Sequence, residues 1–200
     1  AALLPALAHT IKVKNQKYAP APITVRKVGN TTTTVYPQAQ PATTAGDGQV
    51  RRLDTDTTWS GARDTATGTD ASLSDATIYI TAELRASGKY EVNRGFYNFD
   101  TSSLGSLQQV DSATFSLYYA GDSTATDPHG LIQTSPASNT TLAIGDYDGL
   151  TLNSPPEGAS RVSSFSGMTY YDWSMNSTGR GWINKTGVTN LGVRMARDID

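Results

Sequence analysis

Apolar residues recur at every second position in several short stretches bounded by turn residues, the period of strands with one buried and one wetter face. In Val110–Tyr119, Ala113, Phe115, Leu117 and Tyr119 alternate with Thr114, Ser116 and Tyr118. In Ala76–Leu84, Ala76, Ile78, Ile80, Ala82 and Leu84 alternate with Thr77, Tyr79, Thr81 and Glu83, which predicts one long half-buried strand. The stretch Arg94–Leu104 is different. Gly95, Tyr97 and Phe99 fall on one side and Phe96 on the other, so this strand is predicted to be covered on both faces. Shorter alternating segments, Ile11–Lys14 and Ile23–Val28, flank the proline-rich Tyr18–Pro22, and Gly46–Arg51 reads as a turn and strand. Ser138 or Asn139 could cap a single helical turn, but helix is expected to be scarce.

Composition agrees with this rhythm. Charged residues make up only 17% of the 200, and the abundance of Thr, Ser, Gly, Asn and Tyr is that of a turn-rich β protein. The length suits one medium domain and perhaps a tail, not two full domains. There is no cysteine, which excludes disulfides and thiolate metal sites and leaves packing, hydrogen bonds, a hard cation or oligomerisation to supply stability. The apolar run Ala1–Ala8 is interrupted by Pro5 and falls far short of the roughly 20 residues that span a bilayer, so no membrane anchoring is expected of it.

Charge divides the chain. Before Asp47 stand Lys12, Lys14, Lys17, Arg26 and Lys27 and no acid, giving +5; the rest carries 11 bases and 18 acids, giving −7. Residues 1–40 are accordingly expected to form a basic, extended N-terminal arm, kept from folding back by Pro20, Pro22 and Pro37. Its docking residues would be Ile11, Lys12, Val13, Lys14, Lys17, Ile23, Val25, Arg26, Lys27 and Val28, since alternating Ile and Val in a mere tail would expose apolar groups to no advantage. Residues 41–200 would be the acidic body.

The strand pair carries a resemblance. Arg94-Gly-Phe-Tyr-Asn-Phe-Asp-Thr-Ser-Ser-Leu104 followed by Val110-Asp-Ser-Ala-Thr-Phe-Ser-Leu-Tyr-Tyr119 resembles the "FDTS.L…V.SATLSLY" block of a β-sandwich family common among tailed-phage virion and uncultured-virus proteins. More distantly it is similar to bacterial cell-surface jelly-roll modules. The order of further phrases also resembles that family: Gly46-Asp-Gly-Gln-Val-Arg51, then Trp59, Ser135-Pro-Ala-Ser-Asn-Thr-Thr-Leu142 before Asp146-Tyr147, Gly181-Trp-Ile183 and Leu191-Gly-Val193. What the resemblance implies is an all-β, antiparallel sandwich of jelly-roll type, on the exterior of a virus particle, partnered by other virion proteins and copies of itself.

Catalytic chemistry finds little in the residues. The two histidines, His9 and His129, lie in the arm and in the turn Asp127–Gly130, no GxSxG elbow exists, and the acids sit in loops where turn roles are commonplace, so an enzyme is not expected. Gly145-Asp-Tyr-Asp-Gly149 places Asp146 and Asp148 at alternate positions, and Asp54 and Asp56 repeat that spacing; oxygen ligands so arranged suit a structural calcium, and no other cofactor is called for. Ten Tyr and three Trp raise carbohydrate recognition, because sugars stack on exposed aromatic faces. Tyr171, Trp173 and Tyr118 are the candidates, with the restriction that neighbours in a strand face opposite ways; for Trp59, Trp173 and Trp182 core or interface packing is the competing role. An acidic body argues against nucleic acid. The expected function is thus a phage virion structural protein, a fibre, tail-associated or capsid-decoration component, assembled through its arm. The alternative is a carbohydrate-binding module, secreted or on a bacterial surface, that reads host glycans.

Overall fold

The computed structural model describes residues 10–13, 16–27, 32–35, 46–53, 55–73, 77–106, 109–119, 126–149 and 154–200. Thr10–Val13 (β1), Gln16–Lys27 (β2), Thr32–Val35 (β3), Thr77–Tyr79 (β6), Val110–Tyr119 (β9) and Thr169–Ser174 (β11) form one sheet in the order β11-β9-β2-β1-β6, with β3 also on β2. Asp47–Leu53 (β4), Asp70–Ser72 (β5), Thr81–Leu84 (β7), Tyr90–Asp100 (β8), His129–Gln133 (β10) and Val188–Met195 (β12) form the other, in the order β10-β12-β8-β4-β5, with β7 also on β8. All neighbours are antiparallel except β1 and β6. The chain is an all-β sandwich. Among the described residues no helix is long and apolar enough to cross a membrane.

The inward sides meet in one large core. Ala113, Phe115, Leu117 and Tyr119 of β9 face Tyr97 and Phe99 of β8 and Leu191, Val193 and Met195 of β12. Phe115 is its aromatic hub, with ring centroids 5.3 Å from Tyr97, 6.0 Å from Phe99 and 5.7 Å from Trp173. Full burial of each such side chain contributes roughly 1.5–3 kcal/mol. As its pattern predicted, β8 is covered on both faces, buried without a break from Glu91 to Phe99. Val92 and Phe96 point the other way, into a second cluster with Val50, Ala62, Ile132, Tyr147 and Ile199. Three short pieces cover that outer side: the helix Trp59–Arg63 (α1), the 3₁₀ turn Ile144–Asp148 and the helix Ala196–Ile199 (α3).

Two expectations meet a different arrangement. The single strand over Ala76–Leu84 is two, β6 and β7, in different sheets, because the chain turns from one layer to the other at the fully buried Ile80. Such corners join sheets without interrupting the alternation of side chains. The described part of residues 1–40 is likewise no separate arm, since β2 runs between β1 and β9 inside its own sandwich and the expected docking residue Ile23 is wholly buried in the core opposite Phe115. Ile11, Lys12 and Val13 lie on β1, and Lys17, Val25, Arg26 and Lys27 on β2; Lys14 and Val28 lie outside the described residues. The reason is backbone pairing. A strand as apolar as β9 needs a partner on each edge, and β11 supplies only one. The prolines are accommodated where the β2–β9 register shifts, between Pro20 and Ile23, a place where a missing N–H is tolerated.

An ion cluster ties the covering pieces to the second sheet. Asp198 of α3 is fully buried between Arg94 of β8 (Nε to Oδ2 2.9 Å, Nη2 to Oδ1 2.7 Å) and Arg194 of β12 (Nε to Oδ2 2.7 Å). Arg94 also donates through Nη1 to the Tyr147 carbonyl at 2.7 Å and through Nη2 to the Arg63 carbonyl at 2.8 Å, while its guanidinium lies 3.9 Å from the Tyr147 ring centroid. The Tyr147 hydroxyl donates to the Ala62 carbonyl at 2.6 Å. Burial acts to raise the Asp198 carboxyl, but the two guanidinium groups outweigh it and hold the group at about 2.

Asp198→Asn leaves two buried guanidinium groups without their counter-charge. It is expected to destabilise the fold by about 3–5 kcal/mol, read as a lower denaturant midpoint with an unchanged slope. A shift within error of zero would show the cluster to be dispensable. Deletion of residues 1–40 removes β1, β2 and β3, so the remainder is expected to show no cooperative thermal transition by circular dichroism; a remainder melting like the full chain would make those strands an appendage.

Candidate binding face

The outer side of the first sheet is open where β9 and β11 pair. Residues that alternate with the core set, Ser112, Thr114, Ser116 and Tyr118 on β9 and Tyr170, Asp172 and Ser174 on β11, form a partly or fully exposed row. Register sets them side by side: Tyr118 opposite Tyr170, Ser116 opposite Asp172, Thr114 opposite Ser174. The two tyrosine rings meet edge to face, with centroids 5.1 Å apart, and Tyr170 keeps 53% of its surface exposed. One strand step away lies a carboxylate among hydroxyls. Aromatic faces beside such acceptors can stack on the C–H side of a sugar ring and take hydrogen bonds from its hydroxyls.

Of the three sugar-binding candidates, only Tyr118 lies on this face. Trp173 is 1% exposed, its ring against Phe115 and its Nε1–H donating to the His129 carbonyl at 3.1 Å, so it has no free face to offer. Tyr171 is half-buried against Phe165 at 4.8 Å, and its hydroxyl donates to the Ser166 carbonyl at 2.9 Å and accepts from the Ser166 amide at 2.6 Å. The cause is the phase of β11. Its register sets Trp173 opposite the inward Phe115, which turns Tyr171 inward with it and Tyr170 out. Tyr170 was not singled out by sequence reasoning, although the rule that only one of Tyr170 and Tyr171 can face solvent contained it. Trp59 and Trp182 are half-buried and packed against the core.

Of the calcium candidates, Asp146 and Asp56 are engaged by protein groups. Asp146 is buried, and its two carboxylate oxygens accept from the backbone amides of Ala137 at 2.7 Å and Ala143 at 2.8 Å, bracing the loop around the 3₁₀ turn. That leaves it poorly placed to ligate a cation, while Asp148 is exposed. Asp56 is held by Arg52 at 2.5 Å, and Asp54 lies outside the described residues. Among the described residues no group of three or more metal-ligating side chains comes together.

Burial also shifts His129 and Asp47. His129 packs on Phe165 with centroids 4.9 Å apart, and burial, against the smaller pull of Asp127, lowers it from 6.5 to about 4; a ring so enclosed is no base for a solvent-borne substrate. His9 lies outside the described residues. Asp47 of β4 is raised by burial from 3.8 to about 8, against the smaller effect of its own backbone amide. No family model, curated protein or solved structure matches this chain.

Opposite signs follow for stability. The lowered His129 contributes stability that is lost as pH falls from 6.5 towards about 4, whereas the raised Asp47 remains protonated in the fold while the unfolded chain ionises, so stability declines as pH rises from 3.8 towards about 8. Asp47→Asn abolishes the second slope. Its stability is expected to exceed that of the parent by a few kcal/mol, on the order set by the linkage relation, at mildly alkaline pH, with the advantage vanishing in acid. Parallel slopes for parent and variant in denaturant titrations would refute the assignment.

Proposed function

We propose that this chain is a structural, non-catalytic β-sandwich of a tailed-phage particle, carried on its exterior in contact with other virion proteins and copies of itself. The observation that carries the reading is where the family-like block falls. Its two phrases are β8, covered on both faces at the middle of the second sheet, and β9, which crosses to the first sheet and holds Phe115, so the resemblance lies on the framework of the sandwich. The side chains with most chemical potential, His129, Asp146 and Asp198, are all enclosed by that framework, which favours work done by shape and surface. In this reading β1, β2 and β3 build the sheet, and neighbouring molecules are met by exposed faces and edges instead of by a loose arm.

A second reading, glycan recognition at the host surface, is favoured by the paired rings of Tyr118 and Tyr170 beside Asp172. The two readings are compatible on one particle. Antibody against the chain is expected to decorate intact particles in electron microscopy; recovery of the protein only as a free secreted species would overturn the virion reading in favour of a binding module. On a glycan array, Tyr170→Ala and Tyr118→Ala are each expected to weaken binding about fivefold to tenfold with the melting temperature unchanged. Binding indifferent to both substitutions would remove the aromatic face from the account.

A further inference from the structure

A second surface feature lies at the opposite end of β9 from the tyrosine pair. Gln109 and Val110 at the start of that strand, the helix Ser177–Gly181 (α2) and the loop reaching Lys185 enclose a cleft of about 500 Å³, open to solvent. Two cations, Arg180 and Lys185, line it, with Ser177, Val110 and Ile183. Its lining holds two bases and no acid. The chain from Asp47 onward is net acidic, yet no acid occurs between Trp173 and Arg197, and Asp111, next to Val110, is not among the lining residues. Within that acid-free stretch, Arg180 and Lys185 are the basic residues that line the cleft.

Both cationic residues are held at fixed backbone points. α2 is capped by Asn176, whose side chain accepts from the Gly179 amide at 3.0 Å and donates to the Glu157 carbonyl at 3.0 Å. The helix is also seated by a backbone approach that only glycine allows: a Cβ on Gly179 would come within 2.3 Å of the Gly158 carbonyl. Arg180 donates through Nη1 to the Met175 carbonyl at 3.0 Å, which orients the guanidinium and leaves Nε and Nη2 as donors among the described residues. Across the cleft the Lys185 carbonyl accepts from the Gly105 amide at 2.9 Å. Cations on anchored backbone lose less freedom on capturing an anion, and an arginine fork matches the paired oxygens of a carboxylate or a phosphate.

We propose that this cleft binds an acidic saccharide, its carboxylate held by Arg180 and Lys185. Gln109 and Ser177 offer amide and hydroxyl groups suited to sugar hydroxyls, and Val110 and Ile183 an apolar wall for the C–H face of the ring. The cleft is separate from the aromatic face and does not depend on the proposed particle role.

Calorimetric titration of the full chain with a glucuronic acid trisaccharide, its carboxyl-reduced counterpart and inorganic phosphate provides the test. Saturable binding of the acidic sugar is expected, weakening with salt, with the reduced sugar and phosphate each about tenfold weaker or worse. Arg180→Gln and Lys185→Gln should each reduce affinity about tenfold without lowering the melting temperature, whereas Tyr170→Ala should leave this binding intact. Loss on Tyr170→Ala alone would move the ligand to the other face and overturn the assignment. Equal binding of the reduced sugar, phosphate as tight as the sugar, unaffected glutamine variants, or no binding at all would also overturn it.

Discussion

The fold depends on one buried carboxylate shared by two arginines. Arg94 and Arg194 project from neighbouring strands, β8 and β12, on the outer side of the second sheet, where a bare guanidinium would have to be wet. Asp198 makes their burial tolerable, and the donors left over are spent on the carbonyls of Arg63 and Tyr147. One charge cluster therefore gathers α1, the 3₁₀ turn and α3 over a sheet whose inner face is already packed. A hydrophobic replacement of equal volume could match it in free energy, but it would not dictate which loop sits where.

This covering makes the two sheets unequal. The second is covered on both faces along β8, whereas the first keeps a side open along β9 and β11. Both candidate regions lie on that first sheet or at its margin: the tyrosine pair near one end of β9 and the cationic cleft at the other. Asp146, half of the acid pair that looked like a metal site in sequence, accepts from two backbone amides and braces its loop.

Much of this was legible in the residues, and the failures have physical causes. Alternation in Val110–Tyr119 and the two-sided apolar pattern around Phe96 and Tyr97 identified the central strands, because burial on one or both faces writes itself directly into period-two sequence. The corner at Ile80 leaves no such mark, since a strand that changes sheets keeps its alternation. At Tyr170 and Tyr171 the pattern allows two phases, and only the pairing of Trp173 with Phe115 decides between them. The cationic bias of the first forty residues spoke of charge but not of strand pairing, which a sequence does not disclose until its partner is known. Arg94 and Arg194 carried a hint, each a charge beside large apolar residues in a strand, yet the carboxylate that answers Arg94 lies 104 positions away.

The place of β2 has a consequence for how the molecule comes into being. Its neighbour β9 lies some ninety positions further along, so a nascent chain exposes β2 through much of its own synthesis before the sheet can close. Topologies dominated by such remote pairings assemble slowly and leave strand borders open to other chains meanwhile. Lys12, Lys17, Arg26 and Lys27 stand on β1 and β2, and like charge on unpaired strands opposes their pairing with another copy, as it does on exposed borders of finished sheets.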